Sequence, residues 1–393
     1  MSCSEQVLIF GLDPLAPYTI RVLCDCGDNG TSKEITTVTR SRPTEHLIQT
    51  CEKISEDSEI PTVYKLPLSE EELGSSGCTR YVYGDECKTE HRSIILVGSE
   101  GCGKTTLING TINYILGVKW TDSYRFKLTE DDQTSDVTIY KINHQDGFRI
   151  NYSLTIIDTP GFGDTRDIMT DREITEQLFK LFTDDGMDHL HAVCFVMHSV
   201  SEKPSHPHYV LASALSILGN DMADNIRFLV TFADDEPSPA LQALADAGRI
   251  PCNEKDGLPV HYKFNNSILF TPNETEEDSD EKFRVWNMEM ANLKSILNNL
   301  GQTESKSLDL TCDVLRERKE LEDLVENLEE QMNVGLAMIE EIQDATEETS
   351  EGLREEYETR REEVIELEKD LALRLEHLTT IVNTFCTIMT LAP

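Results

Sequence analysis

The chain has 393 residues, 38% of them hydrophobic, and a formal net charge of −38. That length exceeds one compact core and predicts two or three units. The charge argues against a surface that embraces nucleic acid or anionic lipid, though one bound nucleotide remains compatible, because backbone N–H groups and a Mg²⁺ neutralise it locally.

In the first zone, residues 1–43, residues 7–10, 18–24 and 35–39 are short β-branched runs separated by turn signals at Gly11-Leu12-Asp13-Pro14 and Asp28-Asn29-Gly30. The spacing of Leu12, Pro14, Tyr18 and Val22 resembles the later half of a fibronectin type III domain, in which a tyrosine hydroxyl ties a corner to the backbone. The opening residues 1–20 lack a basic start and a continuous apolar run, so no secretory leader is expected. Residues 44–91 read as a polar connector with a helix over 45–53.

Strands and helices alternate across residues 92–300. The run Ser93-Ile94-Ile95-Leu96-Val97 is apolar without alternation, as suits a parallel strand buried on both faces. A helix is expected over 104–116. Strands follow over 137–142 and 152–157, as neighbours, then over 192–197, 227–232 and, last, 267–270. Helices are expected over 172–182, 209–218, 240–247 and 281–300. This order predicts an α/β fold, a P-loop NTPase three-layer sandwich with a mainly parallel sheet.

Residues 301–393 are nearly free of glycine and proline and rich in Glu, Leu and Arg. Leu321, Leu324, Leu328 and Gln331 follow three-four spacing, which resumes in a shifted phase at Val364, Leu367 and Leu371, with the break at 347–352. This predicts a coiled coil or helical hairpin with a hinge. No apolar run reaches the length of a membrane span, and residues 377–393 read as the end of a packed helix. The eleven cysteines show no zinc-ligand spacing; Cys24 and Cys26 form a lone C-x-C. Reduced thiols and a cytoplasmic location are expected.

The chemistry concentrates at Gly98-Ser99-Glu100-Gly101-Cys102-Gly103-Lys104-Thr105, which fits G-x-x-x-x-G-K-[ST] between a buried strand and a helix. Glycines let successive N–H groups aim at phosphate oxygens, and the helix N-terminus, including Thr106, adds its dipole. Lys104 is expected between the β- and γ-phosphates, and the Thr105 hydroxyl on Mg²⁺. Asp158-Thr159-Pro160-Gly161 follows the next buried strand. Its carboxylate is expected to reach Mg²⁺, and the Gly161 N–H to sense the γ-phosphate. Thr231-Phe232-Ala233-Asp234 gives T-x-x-D at a strand end, where Asp234 is placed to accept two hydrogen bonds from guanine; adenine offers no donor there. Phe232 stands where GTPases carry a lysine, which leaves base choice open. Asn265, in Phe264-Asn265-Asn266-Ser267, is a candidate contact to the base. Thr134, ahead of Ser135 and Thr138, is the candidate hydroxyl for a switch loop closing over Mg²⁺.

These stretches, with Leu107–Gly117 and Lys263–Ser267, resemble septin-like or immunity-associated (GIMAP-type) P-loop GTPases, and a group of G-domain proteins found beside fibronectin type III modules. The resemblance implies binding of GTP or GDP with Mg²⁺, and a homodimer or larger oligomer formed through the G domain and coiled coil. Phe162 occupies the place from which Ras-like enzymes orient water with a glutamine, so hydrolysis is expected to be slow or to need groups in trans, with Arg166 and Arg172 as candidates. Two other readings stay open: a coiled-coil interaction protein with a structural nucleotide, and a P-loop ATPase or kinase.

Overall fold

The computed structural model describes residues 17–23, 32–38, 42–56, 61–73, 78–128, 136–161, 168–184, 186–200, 211, 217–233, 238–246, 254–255, 258–271 and 276–347. They fall into two compact units, Met1–Ala214 with Met222–Ser307, and Leu215–Asp221 with Leu308–Pro393.

The first unit begins with the antiparallel pair β1 (Pro17–Leu23) and β2 (Ser32–Val38). Next come α1 (Pro43–Thr50), β3 (Glu52–Lys53), β4 (Thr62–Lys65), β5 (Ser69–Glu72) and β6 (Thr79–Tyr83). Then follow β7 (His91–Gly98), α2 (Lys104–Ile115), β8 (Tyr124–Lys127), β9 (Thr138–Ile142), β10 (Ser153–Asp158) and α3 (Ile168–Thr183). After β11 (His189–Leu190) and β12 (Ala192–His198) come β13 (Ile226–Thr231), α4 (Pro239–Asp246), β14 (Glu254–Lys255) and β15 (Leu258–Pro259). The unit closes with β16 (His261–Lys263), α5 (Glu276–Gln302) and β17 (Lys306–Ser307).

The main sheet has eight strands in the order β16-β13-β12-β7-β10-β9-β6-β5. From β16 to β10 every pairing is parallel; β9 runs antiparallel to β10 and β5 antiparallel to β6. After β7 the chain builds toward β10, and from β12 it builds the other way. The reversal between β7 and β12 is where α/β sheets open a crevice at their carboxyl edge. Ile94 and Leu96 face a core shared with α2 and α5, and the alternate residues Ile95 and Val97 are buried too. A sheet covered on both faces, with several helices, fits a P-loop NTPase-like α/β fold.

The sequence of α2 is a poor helix former on propensity alone, with Gly110 and several Thr and Ile. Burial sustains it, since ten of its twelve residues are buried. It stops where Gly117 takes φ +81, with Gly117 N donating to Tyr114 O and Val118 N to Asn113 O, a Schellman end. Two of its asparagines serve β8. Asn113 Nδ2 donates to Phe126 O (2.7 Å) and Phe126 N returns a bond to Asn113 Oδ1 (3.0 Å), while Leu128 N donates to Asn109 Oδ1 (2.9 Å). β8 pairs with β4 on one side, so on the other the asparagines, four residues apart on one helix face, act as a missing strand. Nearby, buried Arg125 donates to Leu269 O (3.0 Å), Asp122 O (2.7 Å) and Tyr124 O (2.8 Å) and lies over the Trp286 ring of α5.

The second unit carries α6 (Asp309–Glu347). Thr311 Oγ1 on α6 accepts from Gly219 N (3.0 Å). The predicted hinge after Glu347, the second phase of the heptad pattern and the strand at 7–10 lie outside the described residues, as does most of the helix expected over 209–218. No helix among the described residues is long and apolar enough to cross a membrane.

Two expectations change. The last strand of the main sheet is β16, not 267–270. There the chain forms a 3₁₀ turn, Asn266–Ile268, with Leu269 N donating to Asn266 O, so its backbone groups go to the turn instead of a ladder. Residues 44–91 do more than connect: β5 and β6 extend the main sheet, with Tyr81 stacked on Tyr140 of β9. The helix placed at 45–53 is α1, beginning on Pro43, which suits a first helical position.

The amide bridge yields a test. Asn113→Leu keeps the volume but orphans the N–H and C=O of Phe126, at about 1–3 kcal/mol per group. Urea unfolding is expected to show a loss of about 3 kcal/mol at unchanged slope. A loss under about 1 kcal/mol would show that the side chain is not the strand surrogate described.

Candidate functional site

The glycine-rich bend leaves β7 at the sheet reversal. A Cβ on Gly98 would stand 2.2 Å from Val196 O and 2.9 Å from Cys102 Sγ, so no side chain fits. Gly101 (φ +67) and Gly103 (φ +90) need glycine for conformation instead of space. Gly103 caps α2, whose first N–H groups therefore open onto the loop. Lys104 is buried, and its Nζ donates to Gly98 O (3.1 Å) and Ser99 O (3.0 Å), which holds the ammonium across its own loop. Cys102 Sγ lies 4.0 Å from that nitrogen, but burial pushes the thiol's pKa up, so Cys102 packs as a neutral filler.

The neighbouring strand ends converge on this bend. Asp158 closes β10 in register with Leu96 of β7 and is fully buried. Thr159 Oγ1 donates to Leu96 O (2.8 Å). A Cβ on Gly161 would meet Glu100 N at 2.4 Å and Glu100 Cα at 2.6 Å. The D-x-x-G loop thus runs backbone against backbone with the P-loop. On the other flank Thr231 Oγ1 donates to Cys102 O (2.6 Å) and Met197 O (3.1 Å), which ties the end of β13 to the P-loop.

Among the described residues no group of three His, Cys, Asp or Glu is placed to hold a metal ion. The Thr105 hydroxyl and Asp158 carboxylate are oxygen donors, a set suited to a hard cation that keeps several waters, which is how Mg²⁺ binds. The residues present therefore fit a Mg²⁺. Thr134, Asp234 and Arg166 lie outside the described residues. Arg172 lies within α3.

The candidate base-side loop has anchors that the sequence reading missed. Ala233 N donates to Phe264 O (2.9 Å) and Phe264 N to Val230 O (2.8 Å), so the loops after β13 and β16 are stitched together. Asn265 N donates to Glu289 Oε1 (2.7 Å), and Asn292 Nδ2 donates to Lys263 O (2.8 Å). The Asn265 side chain accepts from Ser267 Oγ (2.7 Å). Asn266 approaches α2 closely: its Oδ1 lies 3.0 Å from where a Cβ on Gly110 would stand. Burial pushes Glu289 up to about 8, and the Asn265 N–H offsets part of that rise. Its signal was present in the sequence, because Glu289 interrupts the apolar stripe of Trp286, Leu293, Leu297 and Leu300 on α5.

Residues 89–183 match the Septin family model. The match spans β7 through α3, which includes the P-loop and the D-x-x-G loop, and covers about a quarter of the chain. It supports a septin-like G domain, and at family level it implies a GTP-binding P-loop GTPase. No curated protein matches the chain.

Glu289 makes stability depend on pH with a definite sign. An unfolded Glu titrates near 4.5 and the folded one near 8, so between those values the folded chain holds the extra proton. This contribution is complete below 4.5 and is lost as pH rises through 8. Glu289→Gln cannot ionise. Relative to wild type it is expected to gain stability in urea unfolding at pH 8.5 and to show little difference at pH 5. A difference that stays constant with pH would contradict the assignment.

Proposed function

We propose that this chain is a GTP-binding protein and slow GTPase, acting as a nucleotide-controlled switch or self-assembling scaffold. The observation that carries this reading is the P-loop at the sheet reversal, with Lys104 laid across it and Gly161 packed on Glu100. In the proposed complex the N–H groups from Gly98 to Thr106 cradle the phosphates. Lys104 leaves the carbonyls of Gly98 and Ser99 for phosphate oxygens, which are stronger acceptors because they are charged. A Mg²⁺ on Thr105 and Asp158 would supply positive charge against the triphosphate, with Thr134 adding a hydroxyl. The N–H of Gly161 reports the γ-phosphate, and the close approach to Glu100 makes that loop sensitive to P-loop occupancy.

Specificity for guanine is assigned to Asp234, with Asn265 beside the base. Phe162 does not orient water, so turnover rests on groups from a second copy across the nucleotide face, for which Arg166 and Arg172 are candidates. The proposed oligomer forms through the G domain and the acidic helical region that contains α6.

Isothermal titration with Mg²⁺ is expected to show GTP and GDP binding to the full chain. Lys104→Ala is expected to weaken it about a hundredfold, the ~3 kcal/mol of a charged hydrogen-bond set. Equal or tighter ATP binding would remove the assignment to guanine. Light scattering with GDP and with a non-hydrolysable GTP analogue tests the switch: an identical mass in both states would favour a static scaffold.

A further inference from the structure

Phe232 departs from the GTPase pattern, and its geometry gives the departure a role. It is the only non-glycine described residue with positive φ, at +49, a region that costs energy for a side chain with a Cβ. Several bonds hold it there. Ser199 Oγ donates to Phe232 O (2.6 Å), Ser199 N donates to Thr231 O (2.9 Å), and Ala233 N donates to Phe264 O (2.9 Å). The residue they hold is 46% exposed.

One face of that ring is stacked on His198, at 4.4 Å between centroids and 16° between planes. His198 is itself oriented, since its Nδ1 accepts from Val200 N (3.1 Å). The ring edge adjoins the phosphate loop: Phe232 Cε2 lies 3.6 Å from where a Cβ on Gly103 would stand. The Thr231–Cys102 bond, one residue away, fixes that register. A constrained, half-exposed aromatic ring beside a phosphate-binding bend is placed to receive a flat group attached to the phosphates.

We propose that Phe232, backed by His198, is the nucleobase platform of this site, so that purine stacking replaces the lysine stem usual in GTPases. The proposal rests on the nucleotide reading above. It makes Phe232 a specificity-determining residue that favours purines over pyrimidines, because the larger ring system covers more of the platform. Base stacking on an aromatic side chain is sequence-tolerant and amounts to about tenfold or more in affinity per base.

The test uses the full chain with Mg²⁺ and two probes, GDP and inorganic tripolyphosphate. Phe232→Leu is expected to weaken GDP about tenfold and leave tripolyphosphate unchanged, while Phe232→Trp keeps GDP affinity. The added tryptophan should be quenched by GDP and not by tripolyphosphate. Unchanged GDP affinity in Phe232→Leu would overturn the platform. Equal losses for both probes would overturn it too, by showing that the ring only braces the loop. Failure of the wild-type chain to bind either probe would instead sink the nucleotide reading itself.

Discussion

The carbonyl of Val196 stands where a side chain on Gly98 would have to go. β12 pairs beside β7 so closely that the central strand must end in glycine, and the chain must bend at that point. From this contact follow the left-handed turns at Gly101 and Gly103, the start of α2, and the opening of its N-terminus toward the carboxyl edge of the sheet. The P-loop is thus a consequence of strand packing as much as of phosphate chemistry. Lys104 completes the bend by spanning two of its carbonyls.

The bend is rigid because its helix is rigid, and the helix is rigid because it is enclosed. α2 has weak intrinsic propensity, so its stability comes from the sheet, from α5 and from β8. The Asn109 and Asn113 amides make this relation mutual: Asn113 exchanges both of its bonds with Phe126 of β8, and the Asn109 Oδ1 takes the N–H of Leu128 just past it. Disturbing either partner leaves buried polar groups unsatisfied in the other. β8 also leads in sequence to residues 129–135, where the switch hydroxyl is proposed, so the phosphate loop and the strand before that segment share one set of bonds.

The clearest features in the sequence were those with a single physical cause. Ser93–Val97, the P-loop glycines and Asp158–Gly161 are dictated by burial on both strand faces or by backbone space, and the structure places them together. Features with two competing causes were harder to read. Residues 267–270 have apolar content that suits a strand, but Asn265, Asn266 and Ser267 close a turn first, so the ladder ends at Lys263. β5 was hidden by its four exposed residues, Ser69–Glu72, which carry no burial pattern. β6, Thr79-Arg80-Tyr81-Val82-Tyr83, had a β-branched and aromatic run but sat within a polar stretch. Glu289 showed in the sequence as a break in an apolar stripe, but its partner, like that of His198, lies far along the chain: Glu289 meets Asn265, and His198 meets Phe232.

The site divides into halves with separate supports. The phosphate half rests on β7, α2 and β10. The proposed base half rests on β13, β16 and the Glu289–Asn292 edge of α5. Among the described residues, Thr231 is the direct hydrogen-bonded link from the β13 end to the P-loop, through Cys102 O. The two halves are therefore held in register by a short side chain on a buried strand, and not by a long cation reaching across. A lysine at position 232 would have added a second, flexible tie between them. With Phe232 there, the ring edge lies beside Gly103 and offers no hydrogen bond, and the register depends on how firmly β13 is seated between β12 and β16. On this physical argument, the proposed base recognition would be set by sheet packing first and by loop chemistry second.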